Sequence, residues 1–147
     1  MGAHGREPTV WLDSLCIDQA DIAAQLPSLP VYLAGCKSVL ALAGPTYFQR
    51  LWCVLELHIF HQMGGSLDHI VLVPLDGTNV SAGEARPLSI GKPAFDVHRA
   101  SATDPHDQER LLAVIEGSGE GIAAFNEWVR TALMPLAALP RSAQPPA

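Results

Sequence analysis

The sequence predicts an α/β fold in which a parallel sheet carries helices on both faces. Two six-residue apolar runs, at Ser38–Ala43 and Ile70–Leu75, have the continuous pattern of strands covered on both sides. Between them lies Tyr47–Met63, an apolar-rich segment of helical length ended by Gly64-Gly65. A strand, helix, strand order calls for a right-handed crossover and parallel pairing. With 147 residues, 48% hydrophobic and 16% charged, the chain suits one core, so a single domain is expected over residues 1–134.

The remaining elements follow from local chemistry. Val10–Leu12 reads as a short strand ending at Asp13, with Asp18–Asp21 supplying cap residues for the segment after it. From Ile22 to Cys36 the apolar spacing suits a helix broken by Pro27 and Pro30, with Gly35 near its stop. Thr78–Lys92, rich in Gly, Ser, Pro and Ala, reads as a loop, and Ala94–Arg99 as a short edge strand. Asp104-Pro105 opens a helix through Leu111, Leu112 and Ile115 to Glu116, broken by Gly117-Ser118-Gly119. A last amphipathic helix, Ile122–Met134, sets Phe125, Trp128 and Val129 on one side and is expected to end at Pro135. The Pro- and Ala-rich residues 135–147 are expected to be a disordered tail.

Composition excludes several roles. A formal charge of −6, a pI near 5.4 and only nine Lys and Arg residues oppose binding to nucleic acid, which needs a basic stripe. The longest apolar runs fall far short of the roughly 20 residues that cross a bilayer, so no membrane partner is expected. The N-terminus carries no apolar signal core, and Cys16, Cys36 and Cys53 are odd in number and widely spaced. Both features suit a cytoplasmic protein with reduced thiols.

One carboxylate stands out. On a helix through Tyr47–Met63, the neighbours of Glu56 at three and four residues are Trp52, Cys53, Ile59 and Phe60, with no cation among them. Burying an unpaired carboxylate is costly. Glu56 therefore faces water, meets a distant cation such as Arg50, Arg86 or Arg99, or lines a cleft. Ligands of open parallel sheets bind beyond the C-terminal strand ends. Asp13 with Asp18, the Gly44-Pro45-Thr46-Tyr47 turn and the helix bearing Glu56 all gather there. Against these stand ordinary structural roles: Asp13 and Asp18 as loop caps, Tyr47 and Phe48 as a core seal, and the three cysteines as small core residues. His58 and His61 have a chelating spacing but lack further ligands, which favours packed or solvated imidazoles.

Two motifs carry a family resemblance. Trp52-Cys53-Val54-Leu55-Glu56-Leu57 resembles the Trp-Cys-Leu-x-Glu-Leu signature of the Toll/interleukin-1 receptor (TIR) domains of plant immune receptors. Trp11-Leu12-Asp13-Ser14-Leu15-Cys16-Ile17-Asp18-Gln19 is similar to a motif of fungal heterokaryon-incompatibility domains, regarded as TIR relatives. The resemblance covers Val10 to about Leu75. It implies a three-layer, flavodoxin-like fold and, in enzymatic members, cleavage of the nicotinamide glycosidic bond of NAD. NAD is then a substrate rather than a cofactor. Motif matching makes Glu56 the catalytic carboxylate, with Asp13, Thr46, Tyr47 and Trp52 around the nucleotide. Non-catalytic members assemble with like domains, and that function stays open beside the enzymatic one. The family begins with another strand, loop and helix, so the first strand is expected to be missing and the chain to be a fragment.

Overall fold

A computed structural model describes residues 7, 9–16, 24, 26–75 and 95–138. Helix α1 is one turn, Asp13–Cys16. A 3-10 turn, Leu26–Ser28, leads into α2 (Leu29–Ala34), with Pro30 in the first turn where its missing N–H costs nothing. Strand β1 (Val39–Ala43) is followed by a 3-10 turn, Tyr47–Gln49, and then by α3 (Leu51–Gln62). Strand β2 (Ile70–Pro74) pairs with β1 in parallel, from Val39 beside Ile70 to Ala43 beside Pro74. After a 3-10 turn at Val97–Arg99 come α4 (Pro105–Gly117) and α5 (Gly121–Trp128). A π turn, Val129–Leu133, joins α5 to α6 (Met134–Ala138).

The helix ends obey their sequence signals. The Asp104 carboxylate accepts from the His106 amide at 2.8 Å and caps α4, with Pro105 next in line. At the end of α3 the Gly64 amide donates to the His61 carbonyl and the Gly65 amide to the Phe60 carbonyl, at 3.0 and 2.9 Å. Gly64 sits at φ +95°, the left-handed conformation that this double bond requires.

A single apolar cluster joins the elements. Leu51, Val54, Leu55, Leu57 and Phe60 of α3 meet Leu29 and Leu33 of α2, Ile70 and Leu72 of β2, and Leu111, Ile115, Phe125 and Val129 of the C-terminal helices. Among the described residues the fold is thus a helix and strand mixture around a two-stranded parallel sheet.

Several expectations are corrected. Val10–Leu12 is not a strand: a strand needs a ladder, and no described residue supplies one. Instead Trp11 stacks on Tyr32 at 5.7 Å, and the Leu12 carbonyl accepts from the Leu15 and Cys16 amides to wind α1. Cys16 is exposed on that turn rather than a core residue. Ala94 lies outside the described residues, and the rest of the expected edge strand is the Val97–Arg99 turn. The Asp96 carboxylate caps the His98 amide at 3.1 Å, and the Val97 amide donates to Asn126 Oδ1 at 2.8 Å instead of to a strand. Helix α3 begins at Leu51, because the chain first pairs sideways: the Ser101 amide donates to the Gln49 carbonyl, and the Leu51 amide to the Ser101 carbonyl. The helical path also runs through Pro135 to Ala138, so residues 135–138 are not a disordered tail. Here the Met134 amide reaches back five residues to Val129, and this widened turn admits the proline ring.

Nor is β1 covered on both faces. Ala41 and Ala43 are buried, whereas Leu40 and Leu42 on the other face are 61% and 57% exposed. The expected Asp18–Asp21 caps, the Thr78–Lys92 loop and residues 139–147 lie outside the described residues. Among the described residues, no helix is long and apolar enough to cross a membrane.

Candidate functional site

Helix α3 is packed nearly all round, and its least buried stripe holds the carboxylate. Trp52, Glu56, Ile59 and Met63 follow one another at spacings of four, three and four residues, which keeps them on one side of the helix. Each of the first three is half-buried and Met63 is exposed. Glu56 therefore reaches the surface of an otherwise apolar helix.

Tyr47, one step beyond the turn that follows β1, comes to the same place. Its phenol donates to the Cys53 carbonyl at 3.4 Å. Burial pushes the phenol well above its usual range, and the neighbouring Cys53 and Glu56 raise it further, against a smaller lowering by Arg50. At neutral pH Tyr47 is thus a fixed, protonated donor within electrostatic reach of Glu56. Its ring also packs edge-on against Phe48 at 5.5 Å, part of the core seal expected from the sequence.

Of the other expected site residues, Thr46 is exposed on the turn and Trp52 is half-buried against the core. The backbone of Asp13 opens α1, but its side chain lies outside the described residues, as do Asp18 and Arg86. The structure thus brings together Tyr47 and Glu56. Cys36 is half-buried, donates to the Tyr32 carbonyl at 3.4 Å and has its thiol pushed up by burial, which disfavours the nucleophilic thiolate.

A second feature was not foreseen. Residues of the Leu26–Ser28 turn, α2, α3 and α4 line a groove of about 640 Å³ that includes none of Glu56, Tyr47 and Trp52. Its walls are mostly aliphatic, with Pro30, Ile59, Met63 and Val114 among them, and among the described residues its one charged lining side chain is Arg110. His58 belongs to the lining while being only 4% exposed. The imidazole is set edge-to-face against Phe125 at 4.8 Å and Trp128 at 4.9 Å, and its Nδ1 has no hydrogen-bond partner. Burial lowers its pKa; Glu120 raises it and His61 lowers it to smaller extents. His61 is held differently, stacked on Trp128 at 5.6 Å with Nδ1 donating to the Gly65 carbonyl at 3.0 Å. No local sequence signal marks this groove, because its lining comes from three separated segments. Comparisons with family models, with curated proteins and with solved structures give no match to this chain.

Proposed function

We propose that this chain is part of a TIR-like, flavodoxin-type signalling or defence domain that acts in the cytoplasm on NAD or a related nucleotide, with Glu56 as its catalytic carboxylate. The observation that carries the reading is half-buried Glu56 within electrostatic reach of the part-buried phenol of Tyr47, which lies just past the C-terminal end of a parallel strand. This is the end of a parallel sheet at which ligands bind. A carboxylate there stabilises the positive charge that develops on the ribose as the glycosidic C–N bond breaks. Nicotinamide leaves with the bonding electrons, and water adds to the ribose carbon. Tyr47, kept protonated with its hydroxyl directed to the Cys53 carbonyl, adds no negative charge beside Glu56, and Trp52 walls the same side of α3. In a three-layer version of the fold, further helices would cover Leu40 and Leu42.

The test is nicotinamide release from NAD by the purified protein containing this chain, set against its Glu56→Gln variant. Release that the variant abolishes, with an unchanged circular dichroism spectrum, is the expected result. No release, or equal release by both, overturns the proposal.

A second reading, a non-enzymatic module that assembles with like domains, draws on the apolar sheet face bearing Leu40 and Leu42. It is marked by self-association in sedimentation velocity that Leu42→Glu abolishes and Glu56→Gln leaves intact.

A further inference from the structure

The groove between α2, α3 and α4 does not include Glu56, although Ile59 and Met63 of its wall lie on the same stripe of α3, and it is open to a different ligand. Its volume of about 640 Å³ falls within the range of small-molecule pockets. Two of its walls, Met63 and Val114, are 47% and 40% exposed, so large apolar side chains meet water along it. Such surface is costly to leave open and gains by being covered.

Two polar features bear on what chemistry suits it. The first is His58, 4% exposed, which makes no hydrogen bond among those of the described residues and whose Nδ1 is sealed from water. A buried polar atom with no partner destabilises the protein. Nδ1 is as closed to an occupant as it is to water, so the ring meets an occupant as part of the apolar lining and Arg110 sets the polar chemistry. The second is Arg110. Its side chain is 55% exposed and reaches Asp107 only at 3.9 Å, a long and weak ion pair that leaves the guanidinium available. Among the described residues no carboxylate lines the groove; Asp107 stands 3.9 Å from Arg110, and Glu120 is held through its bond to the Gln62 amide at 3.1 Å.

We propose that this groove binds a small amphipathic organic anion, with its apolar body between Pro30, Ile59 and Val114 and against the lining edge of the His58 ring, and its anionic head at Arg110. The site is independent of the glycosidic chemistry assigned to Glu56, and the two stand or fall separately. Single-headed carboxylates and sulfonates with an alkyl or aryl body are the matching class.

The test uses anilinonaphthalene sulfonate as a fluorescent probe and decanoate as its competitor. Saturable one-to-one binding displaced by decanoate, and displaced less well by decanol, is expected. Arg110→Gln, at an exposed position that leaves the core intact, should weaken decanoate about fivefold without affecting decanol. Val114→Trp, which fills the groove from an exposed wall, should weaken both competitors on the order of tenfold. Binding should also shift the His58 imidazole resonances and leave those of exposed His98 in place. Undiminished probe binding in Val114→Trp, equal competition by decanol and decanoate, or an unmoved His58 signal each overturns the proposal. So does a concentration-dependent loss of probe binding on dimerisation, which would assign the groove to a second copy of the chain.

Discussion

Replacing Gly65 by alanine would drive a methyl group into the ring of Phe60. A Cβ built on Gly65 meets the ring at Cε1 most closely, with Cζ at 2.5 Å and Cδ1 at 2.6 Å. To reach an ordinary 3.4 Å separation, the Cζ atom must retreat from 2.5 Å, a shift of about 1 Å. Phe60 is 2% exposed and packed in the main cluster, so its neighbours must yield with it. Overpacking of this kind costs about 2–3 kcal/mol, from which the stiffer unfolded chain of an alanine variant returns about 0.5–1 kcal/mol. The net loss is about 1–2.5 kcal/mol, or a fall in Tm of about 2–10 °C for a chain of this size. Thermal and urea unfolding of Gly65→Ala, Phe60→Leu and the double variant measure it. Because leucine lacks the outer ring atoms, the double variant should be more stable than the sum of the single changes predicts. Gly64→Ala is the contrast: at φ +95° with nothing within 4 Å of its Cβ, it costs about 1 kcal/mol through the backbone alone and adds independently to Phe60→Leu. A Gly65→Ala protein as stable as the parent, or strict additivity with Phe60→Leu, would refute the steric argument.

Two further predictions concern buried polar groups. The folded-state pKa of His58 lies below its ordinary value of 6.5, so the unfolded chain binds more protons in that interval. The stability contributed by a neutral His58 is therefore present above about pH 6.5 and is lost as the pH falls from there through the folded-state value. A series of Tm values between pH 7.5 and pH 5 should show this loss in the parent protein and a shallower one in His58→Phe; parallel profiles would exclude His58 as its source. Asn126, 8% exposed, accepts from the Val97 amide at 2.8 Å, so Asn126→Ala leaves that amide unpaired and should cost about 1–3 kcal/mol in urea unfolding. Slow hydrogen exchange at Val97 should disappear in the same variant.

Wherever neighbouring residues along the chain decide the outcome, the sequence was a sufficient guide. The apolar runs at Val39–Ala43 and Ile70–Pro74 became paired parallel strands, the Asp104-Pro105 entry became a capped α4, and Gly64-Gly65 ended α3. Each rests on a local preference: a run of β-branched and aliphatic residues, a carboxylate over free amides, or a glycine at positive φ. Glu56 was also legible as the one carboxylate of an apolar helix.

Tertiary structure decided what depends on distant partners. Val10–Leu12 had strand-forming residues but no ladder, and Trp11 took Tyr32 as its partner instead. Phe95–Arg99 turned because Asp96 and Asn126 captured the amides a strand would have used. Pro135 stayed inside a helical path because a π turn made room for it. The approach of Tyr47 to Glu56 depends on how the turn before α3 folds back on the helix, and the convergence of His58, Arg110 and Pro30 on one groove arises from packing between segments far apart in the chain. Sequence determined the strands, caps and stops that short-range chemistry favours; the fold decided which side chains share a site, because burial and electrostatic reach are properties of the packed chain.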